Sequence, residues 1–418
     1  MTVTEEEWVR DYALLALRLD RRVAGSGGAT MLIYRGPDEW RAGVEAEEPP
    51  PAGRLTADAD RLLDELPFEA ARARYLAAQV RAMRAVAGRL AGARPPLGEY
   101  ARACLGVDVE WVAEEQFEAA HARLDAALPR SGGSLAARLR AWQDRHRLPS
   151  AEMGRLPELV GRAVAETRAR TGALVALPPD EVVDCRVVPQ AHYLAAGHHH
   201  GGRRSTIFIN GGLPFNLADL LYVVAHEGHP GHIAESVLKE IHLLDAQGRT
   251  DHWVRFMLSP SFVLSEGLGL HAQSLVFPGD QAQAWLADNV LAERGVRPDG
   301  SDFAAVHEAR NALWGAWANA AHLVAEGRPE AEIAAYLARW ALLDETETGA
   351  ALASIGAPGM SLYVFGYHHG WRLLESWLDS TDRAHRVRRL LTEQLLPADL
   401  QAESPRNGTP ARHRAERG

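Results

Sequence analysis

The sequence predicts a mostly α-helical protein with a small β-element placed just before its most unusual helix. Ala, Leu, Arg and Glu dominate long stretches in which apolar residues recur at i, i+3, i+4 and i+7. Two short β-branched segments, at 182–188 and 205–210, interrupt this helical pattern near the middle of the chain. No run of about 18 apolar residues occurs, so the sequence predicts no membrane-spanning helix.

Composition places the chain among globular proteins rather than disordered or fibrous ones. Its 418 residues are 47% hydrophobic and 24% charged, which is enough to bury a sizeable core. The 45 basic and 55 acidic residues give a formal net charge of −10, which argues against nucleic acid or an anionic membrane as the main partner. The only cysteines are Cys104 and Cys185, and the acidic N-terminus lacks a secretory signal pattern, so we expect a cytoplasmic protein.

Helical patterns cover most of the chain on both sides of the β-element. Before it, the predicted helices span 5–22, 57–91, 110–128, 135–146 and 150–170, with a Pro/Gly-rich linker at 47–53. After Pro214 the helical pattern resumes and continues to about residue 396. The polar segment 397–418 predicts a disordered tail. We expect residues 1–150 and 151–396 to form two regions, or to share one domain.

The β-element lies between residues 182 and 210. The segment 182–188 is β-branched and partly alternating, and 205–210 is a second strand closed by two glycines. Between them, the Gly- and His-rich segment 195–202 predicts a loop. Two strands around one loop predict a hairpin or the edge of a small sheet.

Histidines are concentrated in one part of the chain. Ten of the 18 lie between His192 and His271, which is about a fifth of the sequence. A metal site explains this concentration, and chance clustering in surface loops is the alternative. In the segment 220–232, an apolar helix runs directly into His226, Glu227, His229 and His232. A buried His–Glu pair is costly unless it is paired or metal-bound, although the histidines at a helix end can also serve as caps.

The spacing of these histidines departs from the zincin pattern His-Glu-x-x-His, because the fourth residue after His226 is Pro230. On a regular helix His226 lies about 60° from His229 and about 120° from His232, which is too far for easy shared ligation. Pro230 and Gly231 should distort the helix, however, and can return His232 to the side of His226. His229 remains the alternative ligand.

A catalytic zinc site commonly takes three protein ligands and leaves one position for water. Glu266, 39 residues after Glu227, is the lone carboxylate on an apolar and helical segment. An isolated carboxylate in such surroundings seldom lacks a partner. Glu266 is therefore the candidate third ligand, and a helix-start glutamate near solvent is the alternative.

At these residues the sequence resembles the bacterial family called domain of unknown function 885, which is grouped with the gluzincin-like metallopeptidases. The family pattern His-Glu-x-x-Pro-Gly-His is matched by His226, Glu227, Pro230, Gly231 and His232. Weaker matches are Glu266-Gly267, Pro358-Gly359 followed by Tyr363 to Gly366, and the segments around His192-Tyr193 and Asn210. The resemblance covers roughly 181–374, and it implies a large helical metallopeptidase-like domain whose catalytic part is 151–396, with the β-element beside the active-site helix.

The chain departs from the family pattern at several positions. His229 replaces a usual aromatic residue and Ile233 replaces a second histidine. In the second block, Leu268, His271 and Gln273 replace Trp, Tyr and Glu. The expected ligands are kept while the expected pocket lining changes, which suggests an unusual substrate.

The resulting hypothesis is a single Zn²⁺ held by His226, His232 and Glu266, with Glu227 as the general base. Tyr363 is the candidate donor to the oxyanion, with His229 and His271 as alternatives and a packed helix aromatic as the other interpretation of Tyr363. Asp219 and Glu235 are candidate acceptors that orient the imidazoles. His307 is predicted to lie on a helix surface.

The candidate substrate-binding residues are His229, His271, Arg203, Arg204 and Tyr193. Paired arginines can clamp a substrate carboxylate, or they can belong to a solvated loop. The predicted function is therefore a zinc-dependent peptidase or amidase that acts on a small peptide or an amino-acid-derived substrate. The alternatives are a hydrolase of a small specialised metabolite and a non-catalytic protein that binds metal or a peptide.

Overall fold

The computed structural model describes residues 3–191, 193–357 and 361–404, and it confirms the predicted, mostly α-helical fold. The helices before the β-element are α1 (Glu5–Gly25), α2 (Asp38–Ala46), α3 (Ala52–Asp64), α4 (Ala70–Leu90), α5 (Leu97–Leu105), α6 (Glu115–Ala127), α7 (Leu135–Arg145) and α8 (Leu156–Gly172). Those after it are α9 (Leu220–Glu227), α10 (His232–Lys239), α11 (Pro260–Val276), α12 (Gln281–Leu286), α13 (Phe303–Ala312), α14 (Trp314–Ala325), α15 (Glu330–Trp340), α16 (Glu345–Gly356), α17 (Tyr363–Leu378), α18 (Arg383–Thr392) and α19 (Pro397–Glu403).

The strands form two small sheets. They are β1 (Leu32–Tyr34), β2 (Val182–Val188), β3 (Ala195–Gly201), β4 (Arg204–Asn210) and β5 (Val254–Phe256). β1 pairs antiparallel with β5. In the second sheet β4 is central, because it pairs in parallel with β2 and antiparallel with β3.

The loop predicted at 195–202 is wrong, since most of this segment is strand β3. The turn to β4 places Gly201, Gly202 and Arg203 at positive φ. The two glycines adopt this conformation without strain because they lack a side chain. His199 supports the strand from inside, because its Nδ1 lies 3.0 Å from Ser205 Oγ and its Nε2 lies 3.1 Å from Glu240 Oε2. The prediction failed because β3 depends on its contacts with β4 and with Glu240 rather than on β-branched residues of its own.

Several helix boundaries differ from the predicted ones for identifiable reasons. The predicted helix 57–91 is two helices, α3 and α4, and Pro67 lies in the break between them. Neither β1 nor β5 was predicted. The tail predicted to be disordered from residue 397 begins instead with α19, where Leu400 is fully buried and Glu403 accepts a hydrogen bond from Trp377 Nε1. Residues 405–418 of the predicted tail lie outside the described residues.

Among the described residues, the larger of two hydrophobic clusters includes residues from Trp8 to Trp371, so apolar contacts cross position 150. None of the helices in the described part of the chain combines the length and the apolar composition that a membrane crossing needs.

Helices α11 and α17 approach each other at a pair of glycines. A Cβ added to Gly267 would lie 2.4 Å from the carbonyl oxygen of Gly370, and one added to Gly370 would lie 2.2 Å from the carbonyl oxygen of Val263. Only residues without a side chain permit this backbone contact. The contact fixes the position of Glu266, which precedes Gly267, relative to the start of α17.

We expect Gly370→Ala to lower the free energy of unfolding by about 2–3 kcal/mol, because the new methyl group meets backbone that cannot move aside. Gly366→Ala is the matched control on the same helix, since a Cβ at Gly366 meets nothing within 4 Å. The control should gain up to about 1 kcal/mol from the better helix propensity of alanine. Urea unfolding of both variants measures the difference, and equal stabilities would contradict the close-contact argument.

Candidate metal centre

His226 and His232 belong to two helices joined by a tight connection. α9 ends at Glu227 and α10 begins at His232, with Pro230 and Gly231 between them. A Cβ on Gly231 would lie 1.8 Å from the carbonyl oxygen of His226, so this position requires glycine. The connection returns His232 to the side of His226, and their ring centroids lie 4.7 Å apart. Sequence reasoning anticipated the distortion, and the structure achieves it by ending one helix and starting another.

Glu266 on α11 completes a group of three potential ligands. Its Oε2 lies 3.5 Å from His226 Nε2 and its Oε1 lies 3.7 Å from His232 Nε2. One ligand atom from each of the three residues lies within 4.8 Å of the others. Gly269 makes room for the first imidazole, because a Cβ there would lie 2.6 Å from His226 Cε1.

The electrostatics of this group suit a cation. The Glu266 residue is 2% exposed, and its Oε2 has no hydrogen-bond partner among the described residues. Burial disfavours the charged carboxylate, but the neighbouring His232 and His226 imidazoles hold the pKa of Glu266 below its usual value. Two imidazole nitrogens and one carboxylate form a ligand set that catalytic zinc sites use. The residues present therefore fit a zinc ion.

Tyr363, the first residue of α17, reaches the same carboxylate. Its hydroxyl donates a 2.5 Å hydrogen bond to Glu266 Oε1. Burial, followed by the nearby charge of Glu266, raises the pKa of Tyr363 well above its usual value, so the hydroxyl stays protonated and remains a donor. Pro358 and Gly359, which precede Tyr363 in the third block of the resemblance, lie outside the described residues, as does His192.

Glu227 is the half-buried last residue of α9, directly after the candidate ligand His226. Its Oε2 accepts a 2.7 Å hydrogen bond from the backbone N–H of Gly197 in β3. A Cβ on Gly197 would lie 2.1 Å from the carbonyl oxygen of Glu227, so the strand can approach the helix end only at a glycine. This contact fixes one of the two carboxylate oxygens of Glu227.

A chain of side chains behind His232 orients its imidazole. Ser265 Oγ lies 3.0 Å from His232 Nδ1 and donates a 2.5 Å hydrogen bond to Glu235 Oε2. Since the Ser265 hydroxyl donates to Glu235, its oxygen accepts a hydrogen bond from the Nδ1–H group of His232. The unprotonated Nε2 then lies on the side of Glu266. Burial disfavours the charge of Glu235, but Arg255 at 2.9 Å and Lys239 at 2.8 Å hold its pKa well below its usual value.

Glu235 therefore acts on His232 through Ser265, whereas the other predicted acceptor, Asp219, has different partners. Asp219 Oδ1 lies 2.8 Å from His307 Nε2 and 2.9 Å from Arg310. The predicted surface position of His307 is wrong, because this residue is 5% exposed and is held by Asp219. A buried carboxylate needs such partners. His307 lies 88 residues after Asp219, so the sequence around Asp219 does not reveal this pairing.

The predicted substrate-binding residues are not brought into the ligand group. The His229 side chain is fully buried, with Nε2 3.0 Å from Glu181 Oε1, and His271 Nε2 lies 2.9 Å from the carbonyl oxygen of Trp371. One nitrogen of each imidazole is thus engaged in a contact with another part of the chain. Arg203 pairs with Asp180 at 2.6 Å, and Arg203, Arg204 and Tyr193 are exposed.

Sequence reasoning missed Gly197 and Ser265. Gly197 lies in the segment 195–202, which the sequence predicts to be a loop, and a loop pattern does not indicate an approach to Glu227. Ser265 had a visible signal, because it directly precedes the only carboxylate of an apolar helix. Lys239, the one lysine of the chain, gave a second signal, since its position one turn after Glu235 predicts an i,i+4 ion pair.

The two histidines that follow Glu227 should differ in their effect on zinc binding. We expect His232→Gln to reduce bound zinc below about 0.2 per chain, because it removes one of three ligands. His229→Gln should keep about one zinc per chain, because its partner is Glu181. Mass spectrometry of the metal content after dialysis measures both variants, with circular dichroism to check folding. Loss of zinc from the His229 variant alone would assign the ligand to His229.

Ser265→Ala should weaken zinc binding about 10- to 100-fold while leaving all three ligands in place, because the His232 ring loses the acceptor that orients it. Ser274→Ala is the matched control, since Ser274 is an exposed serine on the same helix that bonds only to the carbonyl of His271. Competition with a zinc chelator measures the affinities. An unchanged affinity in the Ser265 variant would show that the Ser265–Glu235 contact does not orient His232.

Comparison with known proteins supports the fold alone. The sequence matches no protein-family model and no curated protein. The structure is similar to that described as a "putative lipoprotein" from Colwellia psychrerythraea, with a TM-score of 0.52 and 13% identity over 96% of this chain and 76% of the other. It is also similar to a "putative lipoprotein of unknown function" from Shewanella oneidensis, with a TM-score of 0.51 and 12% identity over 92% of this chain and 69% of the other. At these identities, the chain shares the fold of both proteins.

Proposed function

We propose that this protein is a zinc-dependent hydrolase that cleaves a peptide or amide bond in a small peptide or an amino-acid-derived substrate. The observation that carries the proposal is the convergence of His226, His232 and Glu266, with the carboxylate of Glu227 directly beside the first ligand. A site that only binds metal does not need this additional carboxylate. The resemblance of the same residues to the domain of unknown function 885 family supports the same proposal.

Glu227 has the position and the freedom of a general base. When bound at this site, Zn²⁺ supplies a Lewis acid that acidifies water and polarises a substrate carbonyl. The Gly197 N–H holds Oε2 of Glu227, which leaves Oε1 to take a proton from the attacking water and to pass it to the leaving amine nitrogen. The leaving amine then departs in its neutral form.

Tyr363 has two ways to assist. In the structure its hydroxyl holds Oε1 of Glu266 and so fixes the orientation of this ligand. The same hydroxyl can instead turn from Glu266 to the substrate oxygen that becomes negative during the reaction, where a donor lowers the barrier. Both roles need the protonated phenol that its raised pKa maintains.

The edge of the small sheet offers a way to hold an extended substrate. The carbonyl oxygen of Leu194, just before β3, accepts a hydrogen bond from the backbone N–H of Asn210 in β4. In an antiparallel pair, every second residue of β3 from this point directs its backbone N–H and C=O groups to β4, and the residues between them direct these groups away. Gly197 belongs to the second set, since its N–H reaches Glu227. An extended peptide can pair with this outer edge of β3, which places its backbone beside the general base.

We also propose the cytoplasm as the location. Cys104 and Cys185 are both free thiols, and the Cys104 side chain is buried, as is typical of proteins in a reducing compartment. Immunoblotting of soluble and membrane fractions tests this proposal, and recovery in the membrane fraction would contradict it.

Glu227→Gln should keep about one zinc per chain and lower kcat about 10²- to 10⁴-fold, because the amide cannot accept the proton of the attacking water. Glu308→Gln is the control, since Glu308 is 52% exposed and pairs with Arg123. Both variants are assayed on the best substrate from a library of short peptides and N-acyl amino acids. Full activity of the Glu227 variant would remove Glu227 from the mechanism. Failure of zinc-loaded wild-type protein to cleave any library member would favour the non-catalytic alternative.

A further inference from the structure

Four aromatic side chains form a continuous row that starts at the metal centre. The rings of Tyr363 and Tyr367 on α17 have centroids 5.5 Å apart, and Tyr367 stacks on Trp314 of α14 at 4.3 Å and 13°. Trp317, one turn further along α14, lies 5.1 Å from Trp314. We call these four residues the aromatic row. Their spacings of i,i+4 and i,i+3 place each pair on one face of its helix.

The aromatic row begins at the catalytic groups. Tyr363 donates its hydrogen bond to Glu266, the candidate ligand. Tyr367 contacts Tyr363 edge-on and stacks on Trp314, so it connects the tyrosine that holds Glu266 to the tryptophans of α14.

All four rings are only partly buried, although they pack against the main core. The protein buries other large aromatics completely, as it does Trp377 and Phe365. Several adjacent aromatic residues that stay partly exposed are costly in water, and such surfaces commonly mark places where a ligand is bound. No charged side chain takes part in the row itself, so it suits a flat and uncharged group.

We propose that the aromatic row binds a flat aromatic side chain of the substrate, on the residue that flanks the scissile amide. This inference rests on the proposed hydrolase function, and it names the substrate class as peptides or amides of phenylalanine, tyrosine or tryptophan. The substrate ring packs against Tyr367 and Trp314 while the adjacent amide reaches Glu227 and the ligand group. Stacked and edge-to-face ring pairs provide the geometric preference over aliphatic side chains of similar size.

Two substrate series test the proposal: N-acetyl-Xaa amides and Ala-Xaa-Ala peptides, with Xaa as Ala, Leu, Phe, Trp or Lys. With the zinc-loaded protein we expect kcat/KM for Phe and Trp to exceed the value for Ala at least about 10-fold. Trp314→Leu should reduce this ratio to near one. Trp40→Leu is the matched control, because Trp40 is a partly buried tryptophan on α2 that contacts Trp253 outside the row.

The outcomes separate this inference from the proposed function. Hydrolysis without a preference for Phe and Trp, a preference for Leu or Lys, or a preference that survives in Trp314→Leu overturns the aromatic site and leaves the hydrolase proposal intact. Tyr367→Leu, on the other helix, replaces Trp314→Leu if the latter fails to fold by circular dichroism.

If no substrate is cleaved, the proposed function fails, and a binding measurement on the same full-length protein decides the inference. Saturation-transfer NMR should show N-acetyltryptophanamide binding at least about 10-fold more tightly than N-acetylalaninamide, with the difference lost in Trp314→Leu. Equal binding of the two amides by the wild-type protein overturns the proposal.

Discussion

The buried carboxylate of Glu266 is the constraint around which the centre of this protein is organised. An isolated ionised carboxylate in a protein interior costs several kcal/mol unless charges and hydrogen bonds compensate it. Tyr363 holds one oxygen, while the other has no hydrogen-bond partner among the described residues. The two imidazoles alone compensate the charge only if they carry a proton. A divalent cation between neutral imidazoles and the carboxylate would compensate it without such a proton, and the Ser265 contact orients His232 in a way that suits this arrangement.

Glycines bring the three candidate ligands together. Gly231 lets the chain turn back on His226, Gly269 lies against the His226 ring, and Gly267 meets Gly370 at the crossing of α11 and α17. At each place a Cβ would lie closer than 3 Å to backbone or ring atoms, so a side chain there would push a ligand away from the others. Protein interiors are packed too tightly to absorb such displacements. The geometry of the centre is therefore encoded as much in residues without side chains as in the ligands.

The sequence allowed the fold class and the proximity of His226, His232 and Glu266 to be predicted, because both depend on local patterns. Helical periodicity is visible in short windows, and the combination of His226, Glu227, Pro230 and Gly231 indicates both chemistry and a chain reversal. What remained hidden depends on contacts between distant segments. β3 forms because β4 and Glu240 provide partners, and His229 is held by Glu181, 48 residues earlier. Neither partner can be identified from the spacing of residues in one segment.

The pairing of His229 with Glu181 changes how the departures from the family pattern should be interpreted. These departures suggested an altered substrate pocket, which was the reason to consider a specialised metabolite. Yet His229 is buried against Glu181, Leu268 is 1% exposed in the core, and Gln273 lies beside His307.

His271, the remaining departure in the second block, is likewise engaged with the backbone of Trp371. The contacts of these replaced residues are made within the protein and do not by themselves indicate an altered substrate pocket. The partly exposed rings of the aromatic row belong to α14 and α17, and one of them, Tyr363, contacts Glu266. Substrate preference should accordingly follow the rings of these two helices rather than the altered positions near the ligands.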